Sequence, residues 1–131
     1  MVRIGCSKMF RFTKIACISF VLFGCQQSID GNKYSYDKRF YLDYSIRDTS
    51  LVVLHVYKSD GTKVTGIDTD ASDAMKWAAG FSPSENIVIL YSSDIGNKAW
   101  YESTNWKEAK TTAEIDGLAR SFYDAKYHQF P

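Results

Sequence analysis

His55 and His128 are the side chains best suited to move a proton near neutral pH. Imidazole works as a general base only with a nucleophile or an orienting acid in hydrogen-bond reach. Separation in sequence does not test that reach, and nothing local suggests it: the chain carries no G-x-S-x-G, no H-E-x-x-H and no glycine-rich phosphate loop. His55 reads as a sheet residue bonded to a neighbour or to water. His128 reads as a surface residue near a helix C-terminus, where its positive form suits the dipole. Asp68, Asp70 and Asp73 form a short acidic run. An EF-hand loop starting at Asp68 needs Gly at position 6 and Glu at position 12, which here are Asp73 and Ala79. The run therefore reads as a solvated turn, and no metal, cofactor or catalytic residue is assigned. No carboxylate pair stands out for glycoside cleavage. The expectation is a protein that is not an enzyme.

The cysteines carry a clearer message. Residues 1–14 hold Arg3, Lys8, Arg11 and Lys14 without an acid, Ile15 to Phe23 is an apolar run, and Gly24 precedes Cys25. That order is the layout of a secretory signal peptide. The apolar run has about half the ~20 residues that span a bilayer as a helix. Leu22-Phe23-Gly24-Cys25 resembles the lipobox of bacterial lipoproteins, with Leu at −3, a small residue at −1 and the cysteine at +1; Phe23 departs from the usual small or β-branched residue at −2. The resemblance implies diacylglyceryl transfer to the Cys25 thiol, signal cleavage between Gly24 and Cys25, and acylation of the new amine with a palmitate-type chain. Cys17 is a poor alternative because Lys14 occupies its −3 position. Met9 is an alternative start to Met1, since it gives the leader more ordinary proportions. Gln26 stands where an Asp would resemble the inner-membrane retention signal of enteric lipoproteins, so the resemblance implies the outer membrane, facing the periplasm. With Cys6 and Cys17 removed and Cys25 lipidated, no thiol stays free for a nucleophile, a zinc site or a disulfide framework.

Cleavage also changes the charge. Four basic residues leave with the leader, taking the net charge from +1 to −3. A nucleic-acid binder that contacts phosphates needs a basic excess, so that class is disfavoured. The remaining length suits one small domain. It keeps all nine tyrosines, Trp77, Trp100, Trp106 and four phenylalanines. Tyr and Trp suit binding interfaces because they bury much area with few rotatable bonds. Tyrosine is equally a good strand residue. Tyr34, Tyr36, Tyr41 and Trp100 are the candidate contact residues.

The elements that must position them follow from periodicity. Residues 26–33 are polar with one apolar member and read as part of a tether. From Arg39 to Arg47 the chain alternates, with Phe40, Leu42, Tyr44 and Ile46 on one face and Tyr41, Asp43 and Ser45 on the other, a half-buried strand. Leu51 to Tyr57 is a β-branched run whose two faces both look covered. Asp60-Gly61 is a hairpin signal, with Lys63 to Ile67 returning. Residues 73–81 fit either a helix capped by Ser72 or a strand with Met75, Trp77, Ala79 and Phe81 on one face; the strand is favoured. Ile87 to Tyr91 and Ala99 to Tyr101 are further strands separated by turn clusters. From Trp77 to Tyr101 the segment resembles one repeat of a TolB-type β-propeller, notably in Phe81-Ser82-Pro83 and Ser92-Ser93-Asp94-Ile95-Gly96. The resemblance implies strand, turn, strand, turn, strand, but at ~40–45 residues per blade the chain is too short to close a ring. Ile115, Leu118, Ala119 and Phe122 make a helical stripe, with Thr111 or Thr112 as N-cap and Thr111 with Glu114 at capping-box spacing.

The expected fold is α+β: a small antiparallel sheet of about five or six strands with a C-terminal helix packed on one face. The expected organisation is a signal peptide over 1–24, a lipidated Cys and tether over 25–33, and a single periplasmic domain over 34–131. The expected role is non-enzymatic binding of another macromolecule by a lipid-anchored envelope protein, with an immunity or inhibitor protein as its concrete form. Its partners would be the membrane, through the N-terminal lipid, and a periplasmic protein, with no nucleic acid. Alternatives are a structural or accessory lipoprotein of an envelope assembly and, third, a small hydrolase using His55 or His128. Lysozyme-inhibitor lipoproteins generally rely on a disulfide, which sets this chain apart from them.

Overall fold

The computed structural model describes Ile29 and residues 32–128. The leader, the lipobox and the Gly24–Cys25 junction lie outside the described residues. Seven strands and one helix follow in order: β1 Phe40–Arg47, β2 Leu51–Lys58, β3 Lys63–Ser72, β4 Trp77–Phe81, β5 Ile87–Ser92, β6 Lys98–Tyr101, β7 Lys107–Ala109 and α1 Ala113–Tyr127, with a 3₁₀ turn at Glu102–Thr104. They form two antiparallel sheets, β1-β2-β3 and β4-β5-β6-β7. The class is α+β as expected, but one sheet of five or six strands is corrected to two sheets of three and four. Among the described residues, no helix is long and apolar enough to cross a membrane.

Period-two alternation on each strand decides the layering. Leu42, Val52, Leu54 and Val56 point inward from the first sheet with no exposure at all, and meet Trp77, Ala79, Phe81, Val88, Leu90 and Trp100 of the second, with Trp106 just before β7. The opposite face of the second sheet presents Ala78, Ile87, Ile89 and Ala99 to Ile115, Ala119 and Phe122 of α1. The β4-β5 pair is therefore buried on both faces, which is why its sequence is apolar without a break. The order of layers is three-stranded sheet, four-stranded sheet, helix.

Local chemistry sets the boundaries. Gly61 takes φ +94° in the β2–β3 turn, where Asp60 Oδ1 accepts from the Thr62 N–H at 2.8 Å. Residues 73–76 are a turn, in which Ser72 Oγ accepts from the Ala74 N–H at 3.1 Å, and Met75 is exposed; the strand begins at Trp77. The returning strand β3 runs past Ile67 to Ser72 because a bulge at Asp70 (φ +65°) is held by Thr69, whose Oγ1 donates to Val52 O and accepts from the Ala71 N–H. The helix is capped by Thr112, whose side chain accepts from the Ile115 N–H at 3.2 Å, and not by a Thr111–Glu114 box. Its far end is clamped by Tyr127, whose hydroxyl lies 3.2 Å from both the N and the O of Trp77, the first residue of the edge strand β4.

The segment expected to be a tether is partly docked. Ile29 is buried in the core between the sheets. Asn32 brackets Phe81, its O accepting from the Phe81 N–H at 2.8 Å and its Nδ2 donating to Phe81 O at 3.1 Å. Lys33 O accepts from the Leu42 N–H at 2.9 Å.

Candidate functional site

The outer face of the three-stranded sheet is the one sheet face that no other layer covers among the described residues. Cross-strand register fixes what it carries. Tyr41 pairs with Tyr57, Asp43 with His55, and Ser45 with Val53 between β1 and β2. Across β2 and β3, Tyr57 meets Lys63, His55 meets Gly66, and Val53 meets Asp68. An isolated bridge adds Tyr34 beside Tyr41. The first row is thus Tyr34, Tyr41, Tyr57 and Lys63, running across the strands. This corrects the reading of Leu51 to Tyr57 as covered on both faces: Val53, His55 and Tyr57 are only half-buried.

The tyrosines touch in sequence along the row. The rings of Tyr34 and Tyr41 are 6.2 Å apart between centroids, and those of Tyr41 and Tyr57 are 5.1 Å apart and 18° from parallel. Burial, the Asp43 charge and Tyr41 raise the Tyr57 phenol pKa, in that order, so it stays a neutral donor. Beside the row, Lys33, Tyr34, Lys38, Tyr41, Asp43 and Ser59 line an open concavity of about 510 Å³. Lys33 Nζ stands 3.4 Å from Asp43 Oδ1. Lys38 holds its ammonium 5.7 Å from the centre of the Tyr34 ring. It makes no ion pair among the described residues. Its φ of +64° is left-handed, a conformation that costs a non-glycine residue roughly 1–2 kcal/mol.

The second row bears on catalysis. His55 Nε2 is 2.7 Å from Ser45 Oγ, the contact of a base with a hydroxyl nucleophile. Its Nδ1 is buried and has no hydrogen-bond partner among the described residues, so none of their acids orients the ring. Asp43, its neighbour across the strands, stands against Lys33 instead. Burial and then the Lys63 charge lower the His55 pKa, with Asp43 and Asp68 opposing, which keeps the imidazole neutral. His128 is remote from it, stacked edge-on against Tyr123 at 5.2 Å. The acidic run is also dispersed: Asp68 pairs with Arg47 at 3.2 Å, and Asp73 accepts from Trp77 Nε1 at 2.9 Å. No metal-binding cluster is found among the described residues.

A separate network fixes the turn that carries Lys38. Asp37 accepts from Ser35 Oγ, Arg39 Nε and Asn86 Nδ2, while Arg39 Nη2 and Asn86 Nδ2 both reach Glu102 Oε1 at 2.8 Å. Burial raises the Asp37 pKa, but the bonds from Asn86, Arg39 and Ser35 outweigh it and hold the carboxyl well below its usual range. The turn is thereby tied to the second sheet at the start of β5 and the end of β6.

Two of the sequence-predicted contact residues, Tyr34 and Tyr41, line the concavity, while Tyr36 is half-exposed outside it. Trp100 does not join them. It is 5% exposed within the core between the sheets, where it fills space and offers no contact surface. Lys33, Lys38, Asp43, Tyr57 and Ser59 were not singled out from sequence. The signal was present in part, since alternation already set Tyr41, Asp43 and Ser45 on the polar face of β1. The pairing that adds Tyr57 needed the register. Compared with family models, curated proteins and solved structures, the chain shows no match.

Proposed function

We propose that this chain is a lipid-anchored envelope protein that works by contact and not by turnover, and that the outer face of the β1-β2-β3 sheet is its contact surface. The observation that carries the reading is the row Tyr34, Tyr41, Tyr57 on an uncovered sheet face, edged by Lys33, Lys38 and Lys63. Rigid aromatic rings with hydroxyl tips suit a surface that must bind yet stay wetted when free. Anchoring rests on Leu22-Phe23-Gly24-Cys25. More than one acyl chain, at ~0.8 kcal/mol per buried CH₂, makes such an anchor stable. Both the immunity or inhibitor role and the accessory role need a face of this kind.

Two measurements test the reading. Cys25→Ser should leave the protein unprocessed and without label when cells are fed radioactive palmitate; retained label defeats the anchor. The tagged full-length chain should capture a partner from envelope extract, wall fraction included. That partner should survive replacement of both His55 and His128 by Gln, and be lost with Tyr34→Ala. A second reading, the small hydrolase, draws on the 2.7 Å Ser45–His55 contact. It prevails if a turnover activity disappears with His55→Gln while Tyr34→Ala retains it.

A further inference from the structure

We infer that the concavity beside Tyr34 and Tyr41 binds a glycan that carries carboxylate groups. The inference deepens the contact reading above and rests on it. A pyranose ring has a face of C–H bonds, which packs on aromatic carbon, and a rim of hydroxyls that both donate and accept. Tyr34 and Tyr41 supply the aromatic carbon at one wall. Lys33, whose Nζ stands 3.4 Å from the buried Asp43 Oδ1, offers the sugar hydroxyls a donor. Ser59 adds a hydroxyl on the same lining, and about 510 Å³ lies inside the ~300–1,000 Å³ range of ligand sites.

Lys38 supplies the carboxylate preference. Its ammonium has no ionic partner among the described residues and hangs over the Tyr34 ring. Its φ of +64° suits glycine or asparagine better. Its backbone bond, Lys38 N–H to Ser35 O at 3.0 Å, is one that any residue except proline makes. The fold therefore gains only the contact with the Tyr34 ring from lysine at this turn, whereas a carboxylate entering between Lys38 and Lys33 gains a charge-assisted hydrogen bond. A protein partner fits less well. The centre of a protein interface is depleted of charge, and here the Lys33 and Lys38 ammoniums would lose water against it. Sugar hydroxyls replace that water.

The test is calorimetric titration of the full-length chain in detergent with two oligosaccharides of equal length. One alternates N-acetylglucosamine and N-acetylmuramic acid, and the other is neutral N-acetylglucosamine throughout. The acidic probe should bind at least about tenfold more tightly than the neutral one, as one charge-assisted bond implies. Lys38→Gly should erase that difference and at the same time raise the melting temperature, because glycine relieves the left-handed φ. Tyr41→Ala should weaken both probes, with Tyr34→Ala at an exposed position serving if the first variant does not fold. Equal binding of the two probes, or full acidic binding by Lys38→Gly, overturns the carboxylate assignment. If neither probe binds, the glycan inference falls. A Tyr34-dependent protein partner in the capture assay would then leave the contact reading standing, and no partner at all would remove both.

Discussion

Tyr41 and Tyr57 stand directly opposite each other on β1 and β2, with ring centroids 5.1 Å apart and planes 18° from parallel. They stack on the sheet face that turns away from the core, so the contact stabilises the hairpin and builds the exposed row together. Stacked aromatic pairs contribute about 0.5–1.5 kcal/mol beyond their area. A double-mutant cycle of Tyr41→Ala and Tyr57→Ala in urea unfolding should return a coupling energy of about that size. Additive losses would mean that the rings are neighbours without interaction.

Trp100 and Tyr36 should separate cleanly. Trp100 fills the core between the sheets and Tyr36 is half-exposed. Trp100→Ala should cost about 3–5 kcal/mol of stability, and Tyr36→Ala within about 0.5 kcal/mol. Urea denaturation at neutral pH reads both. A mild loss at Trp100 would contradict the packing described for β6.

The helix cap offers a finer comparison. Thr112 Oγ1 accepts from the Ile115 N–H at 3.2 Å. Thr112→Ala should lower stability by about 0.5–2 kcal/mol. Thr111→Ala should have a much smaller effect, and the reverse order would restore the capping box expected from spacing.

The pH dependence has a definite sign. The His55 pKa is lowered by burial and by Lys63, so the folded state binds its proton less readily than the unfolded chain. Its contribution is complete above the ordinary histidine value of about 6.5 and is lost as pH falls from there through the lowered folded value. The melting temperature should therefore drop on acidification below about pH 6.5. His55→Gln should flatten that part of the profile. The paired carboxylate Asp37, whose folded pKa is also lowered, causes a further loss only at more acid pH, through the carboxylate range. An unchanged slope in the His55 variant would show that the imidazole is free to titrate.

The sequence by itself determined six of the seven strands in outline and the inward face of the helix, but not the short strand β7. Alternation placed Leu42 and Tyr44 on the buried side of β1, Asp60-Gly61 placed a hairpin, and the stripe Ile115, Ala119, Phe122 gave α1 its inward face. Each of these signals is local, because a side chain's direction repeats every two or 3.6 residues. The number of layers was not local. Ala78 and Ala79 look alike in sequence, yet Ala78 meets the helix and Ala79 meets the other sheet. An apolar run can be covered by sheet or by helix, and only chain packing decides which. Trp100 read as a contact residue for the same reason, since aromatic type does not tell a core from an interface. The tertiary structure also assembled the candidate site. Lys33, Tyr34, Lys38, Tyr41 and Asp43 come from one stretch of the chain, and Ser59 joins them from beyond the next strand. The hairpin register, the Tyr34 bridge to Tyr41 and the long-range Asp37–Asn86 bond are pairings between segments, which no sequence period encodes.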